Sequence, residues 1–288
     1  MQFNLKNIVF LGLPQKEITE KSIHDFMNDN DTKRIHFASS HAKALRKVEN
    51  RKGGKIVLPF SDTINAIIQS EMGSDVALFQ SKYGGVWRDI KTEKEYLDFE
   101  KFIREYNDIV FLRDNLDLSI ALSMNFDENK HTEIGELEYQ AKFNNNTEAQ
   151  YKLINIIKEW IEKLPFYKYA DYICAMPSSK PGKKSLPENI VASLSSFAFV
   201  DISEKIAWSS KKRSIKEAKS IEEKLEILEE SNLVIADDLD VKGKTIILFD
   251  DLYMSGISMQ YVAMKLKSVG AKRIFGLSMV KSRSNTAI

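Results

Sequence analysis

The stretch Thr245 to Ser258, TIILFDDLYMSGIS, decides how the fold is read. It opens on an apolar run, Ile246 to Phe249, and continues into adjacent carboxylates, Asp250 and Asp251. Small hydroxyl residues then surround a glycine: Ser255, Gly256 and Ser258. Met259, Val262, Ala263, Leu266 and Val269 follow at helical spacing, and Gly270 stands where a helix would stop. The pattern predicts a buried strand, an acidic and hydroxyl-rich turn, and an amphipathic helix. Such a turn offers backbone N–H groups and hydroxyls at a helix N-terminus, where a phosphate can be held. The carboxylates fall at the C-terminal end of the strand, where open α/β sheets take their ligands.

Two plainer readings compete. An apolar strand ending in paired acids also fits the second acidic motif of a P-loop NTPase. That motif needs a glycine-rich loop between a strand and a helix. Here Gly243 to Thr245 is the only Gly-Lys-Thr, Asp238 stands where the first glycine belongs, and a strand follows. Alternatively, Asp250 and Asp251 merely end a strand and Ser258 merely caps a helix, as serine often does.

A second unit upstream has the same grammar. Asp171 to Met176 is a short apolar strand candidate. It runs into Pro177, Ser178, Ser179, Lys180, Pro181, Gly182, Lys183 and Lys184. Pro187 then opens a helix with Ile190, Val191, Leu194, Phe197 and Ala198 on one face. Hydroxyls, small residues and fixed positive charge in one turn are what polyanion binding requires. For Lys183 and Lys184 a solvated loop serves equally well.

The block from Asp250 to Ser258 resembles the phosphoribosyl-diphosphate (PRPP) motif of the type I phosphoribosyltransferases. Asp250, Asp251, Leu252, Ser255, Gly256 and Ser258 match its acids, apolar residue, hydroxyls and glycine. Tyr253 is bulkier than the usual aliphatic, and Met254 replaces a common Thr. The resemblance implies that Met254, Ser255, Gly256, Ile257 and Ser258 wrap the ribose 5-phosphate. Asp250 and Asp251 would face the ribose hydroxyls, act in catalysis and hold Mg2+. Ser178, Ser179 and Lys180 would contact the diphosphate.

Within that superfamily the layout is similar to ComF-like competence proteins. Gly135, Tyr139 and Lys142 fit a family segment that precedes a long helix, here Glu148 to Leu164. Tyr151, Leu153, Ile154, Ile157, Trp160 and Ile161 would face inward. The basic stretch from Ser209 to Ser231 fits the family's polar stretch and helix ahead of the PRPP strand. The resemblance covers roughly residues 130 to 288. ComF-like proteins usually begin with a cysteine-rich zinc segment, and this chain departs from that. It has one cysteine, Cys174, and its histidines, His24, His36, His41 and His131, lack metal-ligand spacing. No structural zinc is expected. Cys174 reads as a small buried apolar residue, and a single cysteine fits a reducing cytosol.

The 288 residues can hold two domains, and 43% of them are apolar. A net charge of +1 gives no global field favouring nucleic acid or a membrane. No apolar run reaches the length of a membrane span, and no signal-peptide pattern is present, so a cytoplasmic location is expected. Lys205, Lys211, Lys212, Arg213, Lys216 and Lys219 form a local basic cluster. It is either a solvated face or a loop that covers the diphosphate.

Residues 1–125 read as a separate α/β domain. Asn7 to Leu13, Arg34 to Ala38, Lys55 to Phe60 and Asp108 to Leu112 look like strands. Ser40 to Val48 and Glu93 to Tyr106 look helical. His36, Ser39, Ser40 and His41 cluster at a strand end without an acid in view, which favours a structural role. Asp117 to Phe126 looks like one or two strands bridging the domains, able to form the hood that chooses the acceptor, and Asn144 to Thr147 is a polar loop. Residues 126–288 would then form a type I phosphoribosyltransferase domain, Rossmann-like with a mostly parallel sheet.

The implied reaction moves the phosphoribosyl group of PRPP to a small nitrogen acceptor, nucleobase-like, with release of diphosphate. The acceptor is not written in the motif. The same fold also serves as a PRPP-binding sensor, or as an accessory protein in a DNA-uptake, DNA-handling or phage-defence complex. A protein partner bound through the N-terminal half and a homodimer are both compatible with either reading.

Overall fold

A computed structural model describes residues 9–49, 52–178, 184–195, 199–210, 215 and 218–283. Its centre is a seven-stranded sheet. The strands are β1 (Arg34–His36), β2 (Val110–Leu112), β3 (Leu118–Met124), β4 (Tyr172–Ala175), β5 (Val200–Asp201), β6 (Thr245–Tyr253) and β7 (Arg273–Lys281). They lie in the order β1-β2-β3-β7-β6-β4-β5. Every neighbour from β3 to β5 pairs in parallel, and only β2 runs against the rest. The sheet is therefore mostly parallel, as expected.

Helices cover both faces, and this explains the continuous apolar runs of β6 and β7. The helices are α1 (Glu20–Asn28), α2 (Ile64–Met72), α3 (Glu93–Glu105), α4 (Glu133–Phe143), α5 (Thr147–Lys163), α6 (Leu186–Ser195), α7 (Ile221–Glu230) and α8 (Ile257–Ser268). Ile173, Ala175, Ile247 and Phe249 share a core with α2, α3, α5 and α6. The alternate residues Cys174, Met176, Ile246 and Leu248 share one with α1, α7 and α8. Period-two alternation in the strands thus divides the interior between two helical layers. Cys174 is fully buried, and burial pushes its thiol up, away from reactivity.

The N-terminal half departs from its expected outline. β1, β2 and β3 continue the central sheet across residue 125, and one core joins both halves. Asp117 to Phe126 holds two strands, as expected, but the first lies inside the central sheet rather than between two domains. Residues 118–124 form β3, buried beside β7, because β7 supplies a parallel ladder for it. Ser40 to Val48 is not a helix. It is a turn followed by a strand, Leu45–Lys47, whose ladder with Gly54–Leu58 outweighs local helical preference. Residues 9–13, the described part of the first strand candidate, form mostly turn and no strand. Leu45–Lys47, Gly54–Leu58, Val86–Ile90 and Phe79–Gln80 make a separate antiparallel sheet, in that order.

Smaller differences are local. α5 buries Leu153, Ile157 and Ile161, but Tyr151 is exposed, because it lies off that stripe. α8 buries Met259, Val262, Ala263 and Leu266, while Val269 lies past its last residue and is exposed. Ile190, Val191 and Leu194 of α6 are buried as expected, and Phe197 and Ala198 lie outside the described residues.

Candidate functional site

β6 runs farther than the sequence pattern predicts. β7 continues to Lys281 and supplies ladder partners through Tyr253, so the strand does not stop at Phe249. Asp250 and Asp251 therefore stand inside the last part of β6, with Asp250 in register with Ser278. The Asp251 N–H donates to Asp250 Oδ1 at 2.9 Å. Asp251 also forms an ion pair with Lys142 of α4, at 2.7 Å.

Lys142 lies between two acids. Its Nζ is 3.3 Å from Glu138 Oε1, one turn earlier on α4. Glu138 has only 6% of its side chain exposed. The contact is close enough for an ion pair but lacks hydrogen-bond alignment, so Glu138 Oε1 is buried without a hydrogen-bond partner. Burial pushes the Glu138 carboxyl above its ordinary range; Lys142 opposes this and Asp251 reinforces it. Burial works against the charge on Lys142, yet Asp251 and Glu138 together hold its ammonium above the usual lysine value. Gly135 permits this placement of α4: an added Cβ would lie 2.3 Å from the Asn125 carbonyl oxygen. The family segment named Gly135 and Lys142, but nothing flagged Glu138. Its signal was the i, i+4 spacing to Lys142.

Met254, Ser255 and Gly256 connect β6 to α8. Gly256, not Ser258, is the N-cap of α8, and it adopts the left-handed conformation with φ 78°. A Cβ there would lie 2.1 Å from Tyr253 Oη. The bulky Tyr253 thus fits because Gly256 has no side chain. Its hydroxyl donates to buried Asp114 Oδ2 at 2.9 Å. The first helical bond runs from the Gln260 N–H to the Gly256 carbonyl at 2.9 Å. The amides ahead of Gln260 have no acceptor within the helix, and the positive end of α8 lies at this loop. Met254 is exposed, Ser255 and Ser258 are half-buried, and Ile257 is buried in the core. Ile257 can offer only its backbone to a ligand.

The second loop starts beside the first. The Met176 N–H donates to the Phe249 carbonyl at 2.8 Å, which ties the end of β4 to β6. Trp208 Nε1 donates to the Pro177 carbonyl at 3.1 Å and fixes the entry to Ser178. Ser178 is half-buried at this strand end; Ser179 and Lys180 lie outside the described residues. Lys183, Lys211, Lys212, Arg213 and Lys216 lie outside them too. Of the rest of the basic cluster, Lys205 pairs with Asp238.

The arrangement gathers anion-binding groups and carboxylates at one end of the sheet. Amides and hydroxyls follow β6, carboxylates precede them, and a lysine approaches from α4. Among the described residues no group of three or more His, Cys, Asp and Glu could hold a metal ion by itself.

No protein-family model matches the sequence, and no curated protein matches it. A solved structure, an adenine phosphoribosyltransferase from Thermoanaerobacter pseudethanolicus, is similar over part of the chain. The two are 18% identical, with 48% of this chain and 83% of that chain covered and a TM-score of 0.31. That likeness is too partial to assign residues or an activity.

Proposed function

We propose that this chain binds PRPP at the C-terminal ends of β4 and β6 and transfers its phosphoribosyl group to a nitrogen acceptor. One observation carries the reading: the Asp250–Asp251 strand end passes through left-handed Gly256 directly into the N-terminus of α8. The amides of the 254–258 loop and the Ser255 and Ser258 hydroxyls take the 5-phosphate. Ser178, Ser179 and Lys180 take the diphosphate. Asp250 and Asp251 orient the ribose hydroxyls and stand beside the positive charge that develops at C1. Lys142 limits repulsion between Asp251 and the polyanionic substrate. The acceptor nitrogen forms a bond to C1 as the C1–O bond breaks, diphosphate leaves with the electron pair, and the acceptor's N–H proton is released to solvent.

The donor set fits magnesium, which takes one or two carboxylates together with substrate oxygens and water. Asp250 and Asp251 would hold it, with Asp251 shared with Lys142. When bound, the ion neutralises charge on the diphosphate leaving group.

The test is thermal unfolding with PRPP, with and without magnesium, beside ribose 5-phosphate and ATP. Ligand at about 100 times its Kd stabilises the native state by about 2.7 kcal/mol. A magnesium-dependent shift specific to PRPP is expected. The same shift with ATP, or none at millimolar PRPP, overturns the reading. A specific shift without diphosphate release from any acceptor makes the chain a PRPP sensor.

A further inference from the structure

Lys142 serves two carboxylates that stand on different elements. Its Nζ is 2.7 Å from Asp251 Oδ2 on β6 and 3.3 Å from Glu138 Oε1, one turn back on α4. The three side chains differ in freedom. Glu138 is 6% exposed and Asp251 15%, whereas Lys142 is 34% exposed. The acids are therefore fixed posts. The lysine, a point charge on a flexible four-carbon stem, is the part that can move.

Its two contacts are unequal. The shorter goes to Asp251, and among the described residues the buried Glu138 Oε1 has no hydrogen-bond partner. A buried carboxylate oxygen left in this state is destabilising, and an apolar residue of similar size would avoid the penalty. Charge-assisted N–H···O bonds run at about 2.7–2.9 Å, so a small turn of the Lys142 stem completes the bond to Glu138 while loosening the one to Asp251.

Occupation of the site changes which contact is the better one. Asp251 belongs to the acid pair that would hold a divalent cation, and Lys142 already sits on it. Two cations at one carboxylate repel each other, more strongly where water is scarce. A lysine with Asp251 as its single partner would oppose the ion. A lysine with a buried carboxylate one turn away has a second place for its charge.

We propose that Glu138 is a positioning residue, the second berth for the Lys142 ammonium, which turns from Asp251 to Glu138 Oε1 when a divalent cation takes Asp251. This rests on reading Asp250 and Asp251 as the cation-holding acids of the β6 site. In the empty site Lys142 neutralises Asp251. In the occupied site the same charge pairs with Glu138, so one cation replaces another beside Asp251. Glu138 thereby sets the affinity of the site for the ion without touching it.

The test is a double-mutant cycle on the full chain, read as the Kd of Mn2+ by electron paramagnetic resonance, with and without PRPP. Mn2+ takes the same oxygen ligands as magnesium. Glu138→Gln keeps the shape of the side chain and removes its charge. Lys142 then stays on Asp251, and Mn2+ should bind about tenfold more weakly than to wild type. Lys142→Met removes the competing ammonium, and Mn2+ should bind at least as tightly as to wild type. Adding Glu138→Gln to Lys142→Met should change the Kd by less than about twofold, because Glu138 acts through Lys142. Thermal unfolding without ligand checks that each variant is folded.

Equal weakening by Glu138→Gln in both backgrounds would mean that Glu138 acts on the ion directly, and the berth is lost. It is lost too if Glu138→Gln leaves the Kd unchanged, or if wild type binds no Mn2+ at millimolar concentration in either condition. Lys142→Met overturns it alone if that variant binds Mn2+ tenfold more weakly, since the lysine would then be helping the ion. In each of these cases a persisting PRPP-induced thermal shift leaves the phosphoribosyl reading in place. Coupling through Lys142 with no PRPP shift keeps the berth and removes that reading.

Discussion

The unit β6–loop–α8 and the antiparallel sheet of residues 45–90 were built by different rules. In the first, one continuous segment carries its own instructions. β6 carries an apolar run, Ile246 to Phe249, because helices cover both of its faces, and Gly256 turns the chain into α8 within three residues of the strand's end. In the second, Gly54–Leu58 matches the strand expected at Lys55 to Phe60, but the strands around it, of two to five residues, exist through their partners. Leu45–Lys47 is a strand through its ladder to Gly54–Leu58, and that ladder has no counterpart in local pattern. The proposed site sits beside the self-instructed unit, where backbone amides and carboxylates can be placed without help from distant segments.

The sharpest way to break this contrast is to remove the acids. Asp250→Asn with Asp251→Asn should cut PRPP-dependent diphosphate release by about 100-fold or more while circular dichroism stays native. Wild-type turnover would show that the β6 unit is scaffold only.

Gly256→Ala tests whether the turn is as tightly determined as its geometry implies. Left-handed backbone and the overlap with Tyr253 should together cost about 3 kcal/mol of stability in denaturant unfolding. Adding Tyr253→Val should relieve the overlap but leave Asp114 without its hydroxyl donor, so the rescue is partial.

In the antiparallel sheet, Ile56→Ala should cost about 3 kcal/mol, because Ile56 is fully buried. Its neighbour Val57 points outward, and Val57→Ala should change stability by no more than about 0.5 kcal/mol. Equal effects from the two would mean that the strand alternation, and so the pairing, is wrong.

A pH-dependent effect concerns Lys281, at the end of β7 and 2% exposed. Its Nζ donates to the Ser282 carbonyl at 2.8 Å and to Ser282 Oγ at 3.2 Å. Burial, helped by Arg34, pulls its pKa down to about 7. The folded chain thus releases a proton that the unfolded chain keeps, and stability should rise with pH from about 7 towards the ordinary lysine value of about 10.4. Lys281→Met should flatten that rise by at most about 1.4 kcal/mol per pH unit, read from unfolding curves at successive pH values. An unchanged slope would mean that the buried end of β7 is open to water.

Much of the candidate site was legible beforehand. Asp250, Asp251, Ser255, Gly256 and Ser258 stand in one short segment, so their proximity needs no tertiary information. Lys142 was singled out by the family segment, but its partner Asp251 is 109 residues away along the chain and no spacing rule joins them. Glu138 reads as one more surface acid on a helix until the sheet edge covers it. The cluster of His36, Ser39, Ser40 and His41 was visible, yet the cleft that His36 and Ser39 line depends on β1 lying at the same edge as β3 and on the hairpin at residues 126–131.

By itself the sequence determined the elements that are long, apolar or strongly periodic: the strand–loop–helix unit of β6, β4, the buried stripes of α5, α6 and α8, and the chemistry of the acid and hydroxyl loop. These depend on contacts within a few residues or on a face that must be buried whatever covers it. The tertiary structure alone decided that β1 to β3 join the central sheet, that residues 45–47 are a strand and that Lys142 meets Asp251. Those choices are settled by hydrogen-bond ladders and ion pairs between segments far apart in the chain, whose free energy no local pattern records.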